Sequence, residues 1–219
     1  MFSRWRVQLK ISGNMSYISH LDLLSALQRA LRRAGLPMRY SEGFNPHMCI
    51  SFGPAHAVGV AEDCLYCDID FASEPPNAWQ ELLGDFSPAG LSLVQARKIN
   101  DKSKSLMASI NLAVYELIFE PQKEALKGAL AEGVQRFLSA DSFVIERVSP
   151  KGKKIIDIRP SVTSIELIGS WSLCVAIRLG VAGTPKPQEL AQAIAPSFSL
   201  LVVRRTGLFI EDDQGRHLP

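Results

Sequence analysis

No apolar run in the 219 residues approaches the roughly 20 that a bilayer-spanning helix needs. The opening MFSRWRVQLK alternates and holds no long apolar core, so no signal peptide is expected there. Cysteine is scarce and scattered, four residues in all, which fits a reduced, cytoplasmic setting. Cys64 and Cys67 form a lone C-x-x-C in a strand-like stretch. Residues three apart on a strand point to opposite faces, and no second pair completes a zinc set. Cys49 and Cys174 read as small buried apolar residues. There is no Walker A loop, no G-x-G-x-x-G and no G-x-S-x-G, which argues against P-loop, Rossmann and serine-hydrolase chemistry.

The composition that remains is that of a folded chain: 47% hydrophobic residues and a formal net charge of +2. The charge is unevenly spread. Residues 1–60 hold seven basic and two acidic side chains, whereas residues 61–90 hold seven acidic and no basic ones. The expectation is a basic face beside an acidic one.

Residues 4–12 alternate, with Trp5, Val7, Leu9 and Ile11 on one side and Arg4, Arg6, Gln8 and Lys10 on the other, as in a half-buried strand. Ser19 lies three residues before Asp22 at the head of an apolar-periodic run, a helix-capping spacing. Leu24, Leu27, Leu31 and Ala34 are the expected buried stripe, and Gly35 with Pro37 ends the helix. Short strands are expected over 38–41 and 49–52, strands over 65–71 and 91–99, and a helix over 79–86. A polar break, NDKSKS, follows at residue 100.

A second cycle then starts: a strand over 107–119, a helix from Pro121 carrying Leu126, Leu130, Val134 and Phe137, and strands over 143–148 and 155–159. A hairpin over 165–179, a helix over 187–194 and a strand over 200–210 complete it. The pattern predicts an α+β protein of two ferredoxin-like (β-α-β-β-α-β) halves with antiparallel sheets, residues 1–101 and 102–219.

Chemistry concentrates in two places. His20 falls in the first helical turn, where free backbone N–H groups favour an anion. The loop Ser41–His47, SEGFNPH, can fold back toward it, so that His20, Asn45 and His47 converge. Two histidines can serve as acid and base, or bind a metal with Asp22 as a third ligand. Ser19 and Asp22 are equally well explained as a cap. On the same helix Arg29, Arg32 and Arg33 are spaced three and four apart, a face fit for phosphate or merely one that complements the helix dipole. The second place is KGKKIIDIRP. There Lys151, Lys153 and Lys154 precede Asp157 and Arg159, which two-residue spacing puts on one strand face, either as a surface pair or as an oriented anion-binding guanidinium.

The stretches Ile18-Ser19-His20-Leu21-Asp22-Leu23, Arg29 to Pro37, Tyr40-Ser41-Glu42-Gly43-Phe44-Asn45-Pro46-His47 and Asp157-Ile158-Arg159-Pro160 resemble the radical SAM-associated protein family. That family is encoded beside, or fused to, radical SAM proteins. The match is dense in the first half and sparse in the second. It departs at Met48 and Cys49, where the family usually has a proline and a basic residue. The resemblance implies a radical SAM protein as partner. This chain lacks the C-x-x-x-C-x-x-C group that would hold the radical SAM cluster itself, and no cofactor or metal of its own is expected. The leading expectation is a non-catalytic partner that presents RNA, either tRNA or rRNA. Its binding residues would be Ser19, His20, Asp22, Arg29, Arg32, Arg33, Ser41, Asn45, His47, Lys154, Asp157 and Arg159. The alternatives are an RNA-cleaving enzyme using His20 and His47, and a small-molecule or metal-binding module.

Overall fold

A computed structural model describes residues 2–100, 102–120, 128–150 and 152–219. The expected helix start at Pro121, with Leu126, and Lys151 of the basic turn lie outside the described residues. The chain divides into two compact units, Met1–Ile110 with Pro219, and Asn111–Leu218.

In the first unit the alternation of residues 4–12 becomes β1 (Ser3–Ile11), followed by α1 (His20–Arg33), β2 (Ile50–Phe52), β3 (Val60–Phe71), α2 (Trp79–Phe86), β4 (Leu91–Ile99) and a single helical turn, α3 (Leu106–Ser109). The strands lie in the order β4-β1-β3-β2 with every neighbour antiparallel. Val7, Leu9 and Ile11 of β1 join Leu65, Cys67, Ile69 and Phe71 of β3 in a core closed by Leu23, Leu27 and Leu31 of α1 and by Trp79 and Leu83 of α2. Each such fully buried large side chain contributes about 1.5–3 kcal/mol.

The opposite sheet face overturns the expected separation of basic and acidic faces. Register places Arg4 opposite Asp70 and Arg6 opposite Asp68, so the basic run of β1 lies directly against the acidic run of β3. Arg6 and Asp68 are 6% and 5% exposed and bond at two points, 2.7 and 2.9 Å. The Tyr66 hydroxyl donates to Gln8 Oε1 at 3.1 Å, and burial, aided by Cys64 and opposed by Arg97, pushes it up to about 12.

The second unit runs β5 (Leu112–Phe119), α4 (Ala129–Ser139), β6 (Val144–Ser149), β7 (Gly152–Asp157), β8 (Val162–Gly169), β9 (Ser172–Arg178), α5 (Pro187–Ile194), β10 (Leu200–Asp212) and β11 (Gly215–His217). Its sheet has the antiparallel order β10-β5-β9-β8, with β11 on β10, while β6 and β7 pair only with each other among the described residues. Helix α4 approaches α5 closely at Gly133, where a Cβ would stand 2.2 Å from the Ile194 carbonyl oxygen.

Several expectations shift. The strand expected over 107–119 begins only at Leu112, because Ser105 caps a helical turn by accepting the Ala108 N–H at 3.3 Å. Segments 38–41 and 48–49 contribute only isolated bridges, Met38 to Phe71 and Tyr40 to Met48. The buried stripe of α1 is Leu23, Ala26, Leu27, Ala30 and Leu31, with Leu24 and Ala34 half-buried. The strand expected over 155–159 stops at Asp157, and Arg159–Ser161 form a 3-10 turn. Asp157 and Arg159 therefore do not share a strand face.

Candidate functional site

Ser19 caps α1. Its Oγ accepts the Asp22 N–H at 3.1 Å and donates to Asp22 Oδ2 at 2.7 Å, so the two side chains largely satisfy each other. His20 packs edge-on to Phe52 with ring centroids 4.8 Å apart, and its Nδ1 accepts the His56 backbone N–H at 3.3 Å. Beneath it lies a pair that sequence reasoning missed. His56 Nδ1 stands 3.1 Å from Glu62 Oε1, and both side chains are buried. The only signal for this pair was a histidine in the apolar loop GPAHAVG, six residues before a strand glutamate.

His47 belongs to a different constellation. The Ser41 N–H donates to the His47 carbonyl at 2.9 Å, the Ser41 Oγ accepts the His47 N–H at 3.1 Å, and His47 Nδ1 lies 2.9 Å from the same Oγ. These bonds pinch residues 41–47 into a closed loop. Gly43 at its turn has φ of 120°, a conformation that side chains rarely adopt. Asn45 contributes its backbone carbonyl, 3.4 Å from His47 Nδ1. The loop points Phe44 fully into solvent, with Tyr40 42% exposed at its base. His47 is thus bonded within its own loop, through Ser41 and the Asn45 carbonyl, whereas His20 is bonded to His56 and packs on Phe52.

Arg29, Arg32 and Arg33 are all exposed. Asp22, Ala26, Arg29 and Arg33, spaced four, three and four, form one helix face. With Met15, Ile18 and Pro88 they line a groove of about 340 Å3. The Arg33 guanidinium donates to the Phe86 carbonyl at 2.6 Å. Neither the Arg29 nor the Arg32 side chain has an ion pair or hydrogen bond among the described residues.

A second basic pocket, of about 300 Å3, is lined by Arg4, Arg39, Cys49, Ile50, Ser51 and Asp70. Arg4 clamps Asp70 at 2.6 and 2.8 Å. Arg39 sits 3.6 Å from the same carboxylate, and its guanidinium lies over the Phe2 ring at 4.0 Å. Sequence analysis passed over Arg39, which sits alone between Met38 and Tyr40. Cys49 lines this pocket, whereas Met48 is buried in the core.

In the second unit the candidate residues are largely engaged by the chain itself. Asp157 accepts the Phe143 N–H at 2.8 Å and the Arg159 N–H at 3.0 Å, and these bonds hold its carboxyl below the usual range. Arg159 donates to the carbonyls of Ala140, Val162 and Leu138 at 3.1–3.2 Å and thereby ties the end of α4 to the start of β8. Lys154 is exposed on β7, opposite Arg147. Among the described residues, no group of three or more His, Cys, Asp or Glu side chains is placed to hold a metal.

Residues 4–187 match the family described as "Uncharacterized protein conserved in bacteria (DUF2344)". The chain belongs to that family. DUF2344 carries no stated activity or partner in its description. No curated protein matches the sequence. Among solved structures, a chain of the "Crystal Structure of a Cbf5-Nop10-Gar1 Complex" is similar at 12% identity and a TM-score of 0.48, over 95% of this DUF2344 chain and 50% of that one. The present chain thus spans about half the length of that solved chain. No helix among the described residues is long and apolar enough to cross a membrane.

Proposed function

We propose that the chain is a cytoplasmic, RNA-binding accessory protein of a radical SAM enzyme, presenting tRNA or rRNA for modification without performing the chemistry. One observation carries the RNA part of this reading. Four arginines of the first unit are in opposite situations. Arg4 and Arg6 are neutralised by Asp70 and Asp68, whereas Arg29 and Arg32 stand exposed on α1 with no described partner. Arg29 and Arg32 thus leave positive charge to solvent on one helix, where a phosphate backbone would release counterions on binding. Both imidazoles are engaged by neighbouring residues, His20 by His56 and His47 by Ser41, which supports a binding rather than a cleaving role. The radical SAM partner rests on the sequence resemblance alone. Each unit is read as ferredoxin-like; the last-first-third-second antiparallel strand order supports this in both.

Binding of labelled tRNA and rRNA fragments across a salt series tests the reading. Affinity should fall steeply with salt, and Arg29→Ala/Arg32→Ala/Arg33→Ala should weaken binding and flatten that slope by two to three contacts. Unchanged binding by the triple variant would sink the idea. The groove on α1 favours a second reading, a small-molecule site. Asp22 marks one end, Arg29 and Arg33 the other, with apolar walls between, a shape suited to a ligand charged at both ends. In that case RNA binding is absent, and a small ligand copurifies or raises the Tm.

A further inference from the structure

We infer that the Ser41–His47 loop is a base-stacking finger, and that the RNA it receives is an unpaired nucleotide in a single-stranded or loop region. The inference rests on the RNA-binding reading and deepens it.

Phe44 is the most exposed large apolar side chain among the described residues, at 106% of its reference area. Lone exposed apolar side chains are common and need no explanation. This one differs in how it is held. Three contacts between Ser41 and His47 close the base of the loop, and the left-handed Gly43 turns the chain immediately before Phe44. An aromatic ring on a pre-formed tip loses little conformational freedom when a flat ligand stacks on it.

Charge near the loop selects the ligand. The two strand-like arms of the loop are joined by the Tyr40–Met48 bridge and by the Cys49 N–H, which donates to the Arg39 carbonyl at 2.9 Å. The arms lead directly into the pocket of Arg4, Arg39 and Asp70. There two guanidinium groups face one carboxylate, which Arg4 already occupies at two points. Arg39 retains donors for an anion, and its guanidinium lies over the Phe2 ring. Arg39 and Phe44 are five residues apart, which limits their separation to about 17 Å in extended chain. A strand of up to about three nucleotides covers any separation within that limit, with a base on Phe44 and a phosphate at Arg39. A base inside a duplex has both faces covered by its neighbours and cannot stack on a protruding ring. Bases splayed from loops and bulges can.

The test uses the purified chain with three fluorescent RNAs: a 12-nucleotide single strand, the blunt duplex of the same sequence, and a hairpin with an unpaired loop. The single strand also carries 2-aminopurine, whose emission is quenched by stacking. The wild-type chain should prefer the single strand and the hairpin over the duplex and should quench 2-aminopurine. Phe44→Leu keeps an apolar tip but removes the ring. It should weaken single-strand binding roughly five- to a hundredfold, abolish the quench and leave duplex binding unchanged. Phe44→Tyr should restore both. Salt-sensitive RNA binding that Phe44→Leu leaves within twofold, with the quench intact, overturns the stacking inference and assigns the loop to contact with a protein. Absence of any RNA binding by the wild-type chain at low salt instead overturns the RNA-binding reading, and with it the inference.

Discussion

Replacing Asp68 by asparagine should destabilise the first unit by about 3–5 kcal/mol. Arg6 and Asp68 face each other across β1 and β3, joined by Nε–Oδ1 and Nη2–Oδ2 contacts of 2.7 and 2.9 Å. With the carboxylate charge gone, the guanidinium stays buried at 6% exposure, keeping its 3.2 Å bond to the Lys104 carbonyl but no counter-charge at position 68. The penalty is that of an unpaired buried charge rather than the net worth of the pair. The double replacement Arg6→Met/Asp68→Leu removes both charges and should therefore cost far less than the single one. Urea unfolding followed by tryptophan fluorescence in a Trp171→Phe background reads this unit, since Trp5 and Trp79 pack edge-on at 5.4 Å in its core and Trp171 belongs to the second unit. At an m-value of about 2 kcal/mol/M, the single variant should lower the midpoint by about 1.5–2.5 M. A loss below about 1 kcal/mol for Asp68→Asn, or a double variant as unstable as the single one, would refute the argument.

His20→Ala should lower stability by about 1–2 kcal/mol, through loss of the Phe52 edge contact and of the acceptor for the His56 N–H, while leaving RNA affinity intact. Lost turnover or lost RNA binding at unchanged stability would instead give His20 a direct role. Acid should loosen the second unit through Glu189. Burial pushes its carboxyl up, but the Arg147 guanidinium and the Lys186 N–H outweigh that and hold it below the usual value. Because its folded value lies below the unfolded one, the contribution is complete at neutral pH and is lost as pH falls through the folded value. Glu189→Gln should remove that part of the acid dependence in urea melts between pH 7 and 3; an unchanged acid slope counts against it.

Where an element is decided by its own residues, the sequence was a good guide. Helices α2 and α5 and strand β4 occupy the ranges that periodicity marks, because their apolar spacing and flanking Pro and Gly residues are local signals. The failures sit where a local hydrogen bond competes with strand propensity. Residues 107–109 open the strand expected over 107–119, yet the Ser105 cap draws them into the helical turn Leu106–Ser109. Likewise Ile155 to Arg159 reads as strand, yet the Asp157 carboxylate captures the Arg159 N–H and turns the chain.

The candidate site was legible in a different measure, because charge along a chain and charge on a surface are different quantities. Seven basic residues precede residue 60, but antiparallel pairing of β1 with β3 spends Arg4 and Arg6 on Asp70 and Asp68, whose positions are 66 and 62 residues away. No local pattern announces that cancellation; it follows only from strand register. Arg29 and Arg32 escape it because a helix end presents them to solvent, away from the sheet face where the acids lie. The motif places His20 and His47 in one stretch, yet each is bonded by near neighbours that the motif does not mark, His47 by Ser41 and His20 by His56, with Phe52 at its edge. The unpaired arginines and the ring at the loop tip are therefore the features that test the function most directly, since both are left over after the fold has satisfied its own charges.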